Sequence, residues 1–262
     1  MLTHVMHMVL AAWAVVFLSM LLAWWIHLRL QNAGVVDVAW AANQGLAVLV
    51  YYALGNGHEP RKQLIALMTL AWSLRLAIYI LLRTLGKPEE GRYQALRAEW
   101  GGNLALKFLF FFQFQGILNL VLSLPMLLSS LNTVPWIHWL EWVGVGVWLV
   151  AFTGELVADW QLQGFKSDSH NRGKVCQVGL WRYSRHPNYF FEWTVWVAFF
   201  VFALSSSFGY TTVVCPAMML YFLLKVTGIP ATEAQAVRSK GEAYRQYQRT
   251  TSAFVPWFPK NR

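Results

Sequence analysis

The sequence has few charged residues. Asp, Glu, Lys and Arg make up 13% of its 262 residues, whereas hydrophobic residues make up 57% and the mean hydropathy is +0.40. So little charge cannot cover the surface of a water-soluble globule. The high hydrophobicity excludes intrinsic disorder, and two cysteines are too few for a disulfide-stabilised secreted module. The composition therefore predicts an integral membrane protein.

The sequence also lacks the short motifs of several well-known catalysts. It contains no Walker or Gly-x-Gly-x-x-Gly nucleotide loop, no Gly-x-Ser-x-Gly nucleophile elbow, and no histidine or cysteine set at metal-ligand spacing. The sequence therefore predicts no metal site and neither of the two standard soluble nucleotide-binding folds. Cys176 lies in a basic polar stretch and Cys215 in an apolar run, so we expect no disulfide between them.

Seven apolar stretches approach or exceed the length of about 20 residues that a helix needs to cross a bilayer. They are residues 5–26, 35–54, 63–82, 108–131, 136–160, 190–206 and 210–228. The pattern predicts an all-α, polytopic membrane protein, a bundle of seven transmembrane helices that forms one domain over residues 1–262. A further helical pattern covers residues 232–248, after the last span.

The positions of Lys and Arg predict the orientation. All but three of the 21 basic residues fall in links and a tail on one face; Arg61 and Lys62 lie on the other face, and Arg75 lies inside the third span. By the positive-inside rule, the N-terminus is outside and the C-terminus is cytoplasmic. Topology thus accounts for the net charge of +9, and no nucleic-acid partner is predicted.

Five ionisable residues lie within or at the ends of the predicted spans: Asp37, Arg75, Glu155, Asp159 and Glu192. The four acids all fall toward the predicted cytoplasmic ends. A charge in a bilayer is costly and usually faces a protein interior or a wet cavity. The set therefore favours a polar cavity open to the cytoplasm. The alternative is a structural Asp37–Arg75 ion pair, with the other acids merely at the interface.

The densest polar segment, residues 179–192, enters the sixth predicted span. Pro187 is suited to the first turn of a helix, whose free amides favour an anion, and Arg182 and Arg185 provide forked phosphate donors. Asn188 and Glu192 lie one helical turn apart. Together with Lys166 and Arg172 upstream, this segment predicts a site for a phosphate-bearing cofactor.

At this segment the sequence resembles a known family. Residues 179–192, Gly-Leu-Trp-Arg-Tyr-Ser-Arg-His-Pro-Asn-Tyr-x-x-Glu, are similar to the signature of the steroid 5α-reductase C-terminal domain and of the bacterial DUF1295-like membrane branch beside it. Further matching pieces lie at residues 36–40, 72–83, 90–93 and 241–259. The resemblance covers most of the chain from the second span onward.

The resemblance implies a seven-helix membrane reductase in which NADPH enters from the cytoplasm and reduces a C=C bond conjugated to a ketone. The substrate is a steroid or similar lipid from the bilayer. Membrane lipids are the other partners, no obligate protein partner is implied, and the location is a bacterial inner membrane. The implied cofactor positions are Asp37, Arg75, Arg83, Asp159, Lys166, Tyr183, Arg185, His186, Asn188, Glu192, Glu233, Arg238 and Tyr244.

The resemblance also implies catalytic positions, where this sequence departs from the family pattern. Asn43 and Gln44 stand at a Gln–Glu pair of the animal enzymes, Trp72 at a tyrosine, and Tyr79 at another family tyrosine. An amide can donate a hydrogen bond to the ketone oxygen, but it cannot release a proton as a carboxylic acid or phenol does. Tyr79 or Asp37 is then the candidate acid.

Two other functional readings stay open. Isoprenylcysteine and phospholipid methyltransferases, which use S-adenosylmethionine, share an Arg-His-Pro-x-Tyr entry to a late helix. They typically continue with glycine where this sequence has residues 190–192, and they carry a Glu-Glu pair where it has only Glu233. The third reading is a noncatalytic sterol-binding relative of the reductases.

Overall fold

The computed structural model describes residues 2–260, which form helices joined by turns and loops, with one isolated bridge between Ser184 and Ser252. The all-α prediction is confirmed. The chain forms two compact units. Unit 1 contains the chain up to Glu141 together with Ala203–Tyr210, and unit 2 contains Trp142–Phe202 and the residues from Thr211 onward.

Unit 1 is built around the second helix. Its helices are α1 (Leu2–Leu30), α2 (Val35–Leu54), α3 (Glu59–Thr84), α4 (Gly91–Trp100), α5 (Leu104–Leu122) and α6 (Leu124–Leu131). Helix α2 packs against α1 and α3 and also contacts α5 and α6. A buried apolar cluster that includes Met20, Val36, Phe108 and Phe112 joins α1, α2 and α5. The polar side chains of α2 are therefore enclosed on several sides.

Unit 2 is built on two long helices and a helical C-terminal part. Its helices are α7 (Trp139–Ser167), α8 (Pro187–Ala203), α9 (Val214–Tyr221), α10 (Ile229–Lys240) and α11 (Glu242–Thr250), and the few residues of α7 and α8 beyond the bounds of unit 2 belong to unit 1. Helices α7 and α8 approach closely at two glycines. A Cβ added at Gly144 would lie 2.9 Å from Phe202, and one at Gly154 would lie 2.5 Å from Phe191.

Five helical stretches are long and apolar enough to cross a membrane: Leu2–Leu30, Glu59–Thr84, Leu104–Leu122, Trp139–Ser167 and Gly209–Lys240. The integral membrane class is thus supported, whereas seven spans and the orientation of the termini stay predictions. Helix α8 is shorter, at 17 residues. Helix α2 has 20 residues, and Asp37, Asn43 and Gln44 lower its hydropathy.

Three predicted helices have a different local structure. Residues 108–131 form not one helix but α5 and α6, which meet at Ser123 just before Pro125. The predicted tail helix is divided into α10 and α11 by Gly241, whose φ of +56° is the left-handed conformation that glycine tolerates. Residues 210–228 include a 3₁₀ turn, α9 and one π-helical turn over Phe222–Val226.

The two basic residues on the predicted outer face are both buried in unit 1. Arg61 is fully buried, forms an ion pair with Glu141, and donates to the carbonyl oxygens of Asn132, Val134 and Trp136 at 2.8, 2.9 and 2.6 Å. Lys62 Nζ lies 2.9 Å from a Glu59 carboxylate oxygen. Both charges are therefore neutralised by carboxylates.

Candidate functional site

The first cluster of predicted site residues lies in unit 2, where Arg185 and His186 precede α8. Arg185 Nε donates to Glu233 Oε1 at 2.6 Å, and its Nη1 donates to the Gln248 carbonyl oxygen at 3.0 Å. His186 Nε2 lies 3.3 Å from the same Glu233 oxygen, and Gln248 Nε2 donates to the other oxygen at 2.8 Å. Three predicted cofactor residues thus form one network that joins the start of α8 to α10 and α11.

Two tyrosines of α11 hold the same region together. Tyr247 is buried, and its hydroxyl donates to the Ser184 carbonyl oxygen at 3.1 Å and to the Trp181 carbonyl oxygen. Burial, together with the negative charge of Glu233, raises the pKa of Tyr244 to about 12. Tyr244 is therefore a neutral phenol at physiological pH, able to donate a hydrogen bond.

A second cluster in unit 2 holds buried carboxyl groups between α7 and α8. Asn188 Nδ2 donates to Asp159 Oδ1 at 3.3 Å, and Trp196 Nε1 donates to Glu192 Oε1 at 3.4 Å. Asp159 and Glu192 are 6% and 7% exposed, and Glu155, one turn before Asp159 on α7, is 3% exposed. The predicted residues Asp159, Asn188 and Glu192 are thus brought together as a group rich in hydrogen-bond acceptors.

Exposed cations are also present in unit 2. Lys166, Arg172, Lys174, Arg182 and Arg238 are all exposed. Of these, Arg172, Lys174, Arg182 and Arg238 form no ion pair with any residue between 2 and 260. Buried acceptors and exposed cations suit the two parts of a dinucleotide, since its ribose hydroxyls and amide donate while its phosphates need cations. Unit 2 thus contains both kinds of group that would be needed to hold a dinucleotide.

In unit 1, Asp37 is held by residues of α4. Arg92 forms an ion pair with Asp37, and the Tyr93 hydroxyl donates to Asp37 Oδ1 at 2.8 Å. The predicted cofactor residue Arg83 lies nearby in sequence and pairs with Glu90 at 2.6 Å. Sequence reasoning did not assign Arg92 and Tyr93 to the site, although both lie in the family-like segment 90–93.

Glu89 attaches α4 to the turn between α1 and α2. Its carboxylate accepts a hydrogen bond from the Ala33 amide at 2.7 Å and two from Arg97 at 2.9 and 3.1 Å. Burial alone would raise the pKa of Glu89, but these hydrogen bonds and the Arg97 charge outweigh it, and the pKa lies below its ordinary value of 4.5. Ionised Glu89 therefore stabilises the folded state, and with it the placement of Arg92.

We expect Glu89→Gln to lower thermal stability at pH about 7 and to reduce the loss of stability on acidification. A carboxyl group whose pKa is depressed by folding contributes stability above its unfolded pKa, and this contribution is lost as the pH falls through the folded value. The melting temperature, measured at pH about 7 and about 4, tests this. Glu99→Gln, at an exposed position on α4, is the control and should follow the wild type; identical profiles for both variants would contradict the role of Glu89.

The predicted catalytic residues Asn43 and Gln44 are buried on α2, at 0% and 1% exposure. Gln44 Nε2 donates to the backbone oxygen of Asn119 at 3.1 Å and to its Oδ1 at 2.9 Å. A backbone oxygen only accepts, and Asn119 Nδ2 already donates to the Gln115 oxygen at 3.2 Å, so this network fixes which Gln44 atom is nitrogen. Both N–H groups of Gln44 are therefore engaged.

The other hydrogen-bonding atoms of these two amides have no partner among the described residues. Gln44 Oε1 and both side-chain polar atoms of Asn43 have no hydrogen-bond partner among residues 2–260. By contrast, Ser73, which lies against α2, donates to the Ala41 oxygen at 2.7 Å and accepts from the Gly45 amide at 3.1 Å. Buried polar groups without partners are rare in native proteins and often have a functional cause. Asn43 is therefore the buried amide of α2 with free donors.

The other predicted catalytic residues are on α3. Trp72 is fully buried, and its ring meets that of Trp40 edge to face at 6.3 Å between centroids. Arg75 and Tyr79 follow at three and seven residues, on the same helical face, and both are partly exposed. Unit 1 thus holds all four predicted catalytic residues, together with Asp37, Arg75 and Arg83, and unit 2 holds the other predicted cofactor residues.

Comparison with known proteins assigns the family. The model of the family described as "Protein of unknown function (DUF1295)" matches residues 23–251. The chain therefore belongs to this family, a branch of steroid 5α-reductase-like membrane proteins. No curated protein and no solved structure matches the sequence.

Proposed function

We propose that this protein is an NADPH-dependent membrane reductase that saturates a C=C bond conjugated to a ketone in a lipid, with a 3-oxo-Δ4 steroid as the first candidate substrate. The observation that carries the proposal is the group formed by Asn188 and the buried residues Asp159 and Glu192 between α7 and α8, in a member of this family. A bilayer-embedded protein can take such a lipid directly from the membrane.

The cofactor residues divide into two roles. Asp159 and Glu192 accept hydrogen bonds from the donors of the dinucleotide, and Lys166, Arg182 and Arg238 neutralise its phosphates. Because Arg185, His186 and Glu233 bond to one another, we assign them to fixing the start of α8. Tyr183 and Tyr244 are the other cofactor residues proposed in unit 2. Asp37, Arg75 and Arg83, which lie in unit 1, are proposed from the family resemblance.

The substrate residues follow from the chemistry of the reaction. NADPH, when bound, supplies the hydride that the β carbon of the enone needs. Asn43 donates a hydrogen bond to the ketone oxygen and stabilises the negative charge that develops there. Tyr79 donates the proton that the α carbon needs, since its phenol is the acid among the four predicted catalytic residues. Gln44 positions this part of α2 through Asn119, and Trp72 provides an apolar wall.

The test is NADPH consumption by detergent-purified protein with testosterone or progesterone, with products identified by mass spectrometry. A gain of two hydrogens is expected. Glu192→Gln removes a buried carboxylate that, in this proposal, accepts a hydrogen bond from the cofactor. We therefore expect the affinity for NADPH to fall at least about tenfold. Glu242→Gln makes the same change at an exposed position and serves as the control.

Three outcomes would contradict the proposal. Wild-type affinity for NADPH in folded Glu192→Gln would remove this carboxylate from the site. Binding of S-adenosylmethionine in place of NADPH would indicate a membrane methyltransferase. Retention of sterol without either cofactor would indicate a noncatalytic binding protein.

A further inference from the structure

The C-terminal segment, residues 252–260, is held in place against the turn that precedes α8. The Ser184 hydroxyl donates to the Phe254 carbonyl oxygen at 2.8 Å. The Trp257 amide donates to the Tyr183 carbonyl oxygen at 2.9 Å. Because its backbone is bonded at several points within unit 2, the segment presents its side chains in a defined arrangement.

Three large apolar side chains of this segment are exposed. Val255, Trp257 and Phe258 are 51%, 69% and 75% exposed, and the two rings lie 6.5 Å apart between centroids. Exposed apolar groups on a membrane protein are suited to lipid, and tryptophan in particular is enriched at the level of the headgroups.

Beside these rings is a cavity of about 430 Å³ between the segment and the end of α11. Its lining combines Trp257 and Phe258 with Arg249, Lys260 and the hydroxyl-bearing residue Ser252. The lining therefore combines aromatic and cationic side chains, as the headgroup region of a bilayer requires.

The charge of this region is positive. Residues 242–260 contain three basic residues and one acid, Glu242. Arg249 is paired with Glu242, whereas the exposed Lys260 forms no ion pair with any residue of the described range, 2–260. An anion that approaches the cavity thus meets one unneutralised ammonium group.

We propose that this cavity binds the headgroup of an anionic phospholipid of the protein's own bilayer. Lys260 pairs with the phosphate, and Trp257 and Phe258 lie at the boundary between headgroups and acyl chains. The sequence predicts a cytoplasmic tail, and anionic lipids of the cytoplasmic leaflet attract basic segments of this kind. This inference does not depend on the proposed reaction.

The experiment measures lipid retention by the full-length protein. The protein, purified in mild detergent and incubated with equal amounts of phosphatidylglycerol and phosphatidylcholine, is analysed by native mass spectrometry. We expect preferential retention of phosphatidylglycerol, and Lys260→Gln should reduce this preference about fivefold, the effect of one cation at a membrane surface. Trp257→Ala should weaken retention of both lipids.

Lys174→Gln, which removes an exposed cation elsewhere in unit 2, is the matched control and should leave the preference unchanged. Equal retention of the two lipids by the wild type would overturn the proposal, as would an unchanged preference in Lys260→Gln. Displacement of the lipid by inorganic phosphate, with no effect of Trp257→Ala, would also overturn it, because it would indicate a simple anion site.

Discussion

Arg61→Met is expected to lower the free energy of unfolding by about 3–5 kcal/mol, the typical cost of leaving one partner of a buried ion pair alone. Arg61 and Glu141 are both fully buried in unit 1. The substitution leaves the Glu141 carboxylate without its countercharge and removes the donors for three backbone carbonyl oxygens between residues 132 and 136. Those carbonyls then lie partly buried without their donors.

The melting temperature of detergent-purified protein measures this effect, together with the fraction of monodisperse material. Arg245→Met is the matched control, because Arg245 is paired with Glu242 on an exposed face of α11. An exposed pair contributes less than about 1 kcal/mol, so this variant should melt close to the wild type. Equal shifts in the two variants would contradict the view that Arg61 and Glu141 stabilise unit 1 in particular.

The helices could be predicted where the sequence pattern is local. Helix α2 begins and ends at the predicted residues, since Gly34 precedes and Gly55 follows an uninterrupted helical pattern. The break between α5 and α6 could not be predicted, because the apolar run continues through it and proline is compatible with the first turn of a helix. At the break, Ser123 bonds to the Tyr51 hydroxyl at 2.9 Å, a contact from another helix.

The residue types of the candidate site could be predicted, but not their partners. Asp37 was expected either in a polar cavity or with Arg75, and the structure pairs it with Arg92, 55 residues away in sequence. The bonds from Gln44 to Asn119 span 75 residues. Such pairings depend on how the helices pack, which a single sequence does not specify. Composition and spacing identified the polar groups whose burial in the spans costs free energy. The packing of the helices decides which of these groups lack hydrogen-bond partners.

Asn43→Leu is expected to raise the stability of the protein while it abolishes turnover. Both polar atoms of the Asn43 amide are buried without a partner among the described residues, and a buried unsatisfied group costs about 1–3 kcal/mol. Leucine fills a similar volume without that cost and favours the helix. If Asn43 provides the hydrogen bond to the ketone oxygen, the same change removes the group that stabilises the negative charge in the proposed reaction. Strained or unsatisfied functional residues commonly lower the stability of a protein while they support its activity.

The matched control is Asn119→Leu, the same substitution at an equally buried amide in unit 1 whose donors and acceptors are engaged with Gln44 and Gln115. That variant should lower the melting temperature, because it removes the side-chain oxygen that accepts from one Gln44 N–H and leaves Gln44 only the backbone oxygen of residue 119. General effects of leucine in a membrane helix would shift the melting temperature of both variants in the same direction. Shifts of opposite sign would therefore be specific to these two positions. A lower melting temperature for Asn43→Leu would contradict the view that this amide is buried without a hydrogen-bond partner. A stabilised variant with full turnover would separate the buried amide from catalysis, and would leave Tyr79 and Trp72 as the residues to examine on the substrate side.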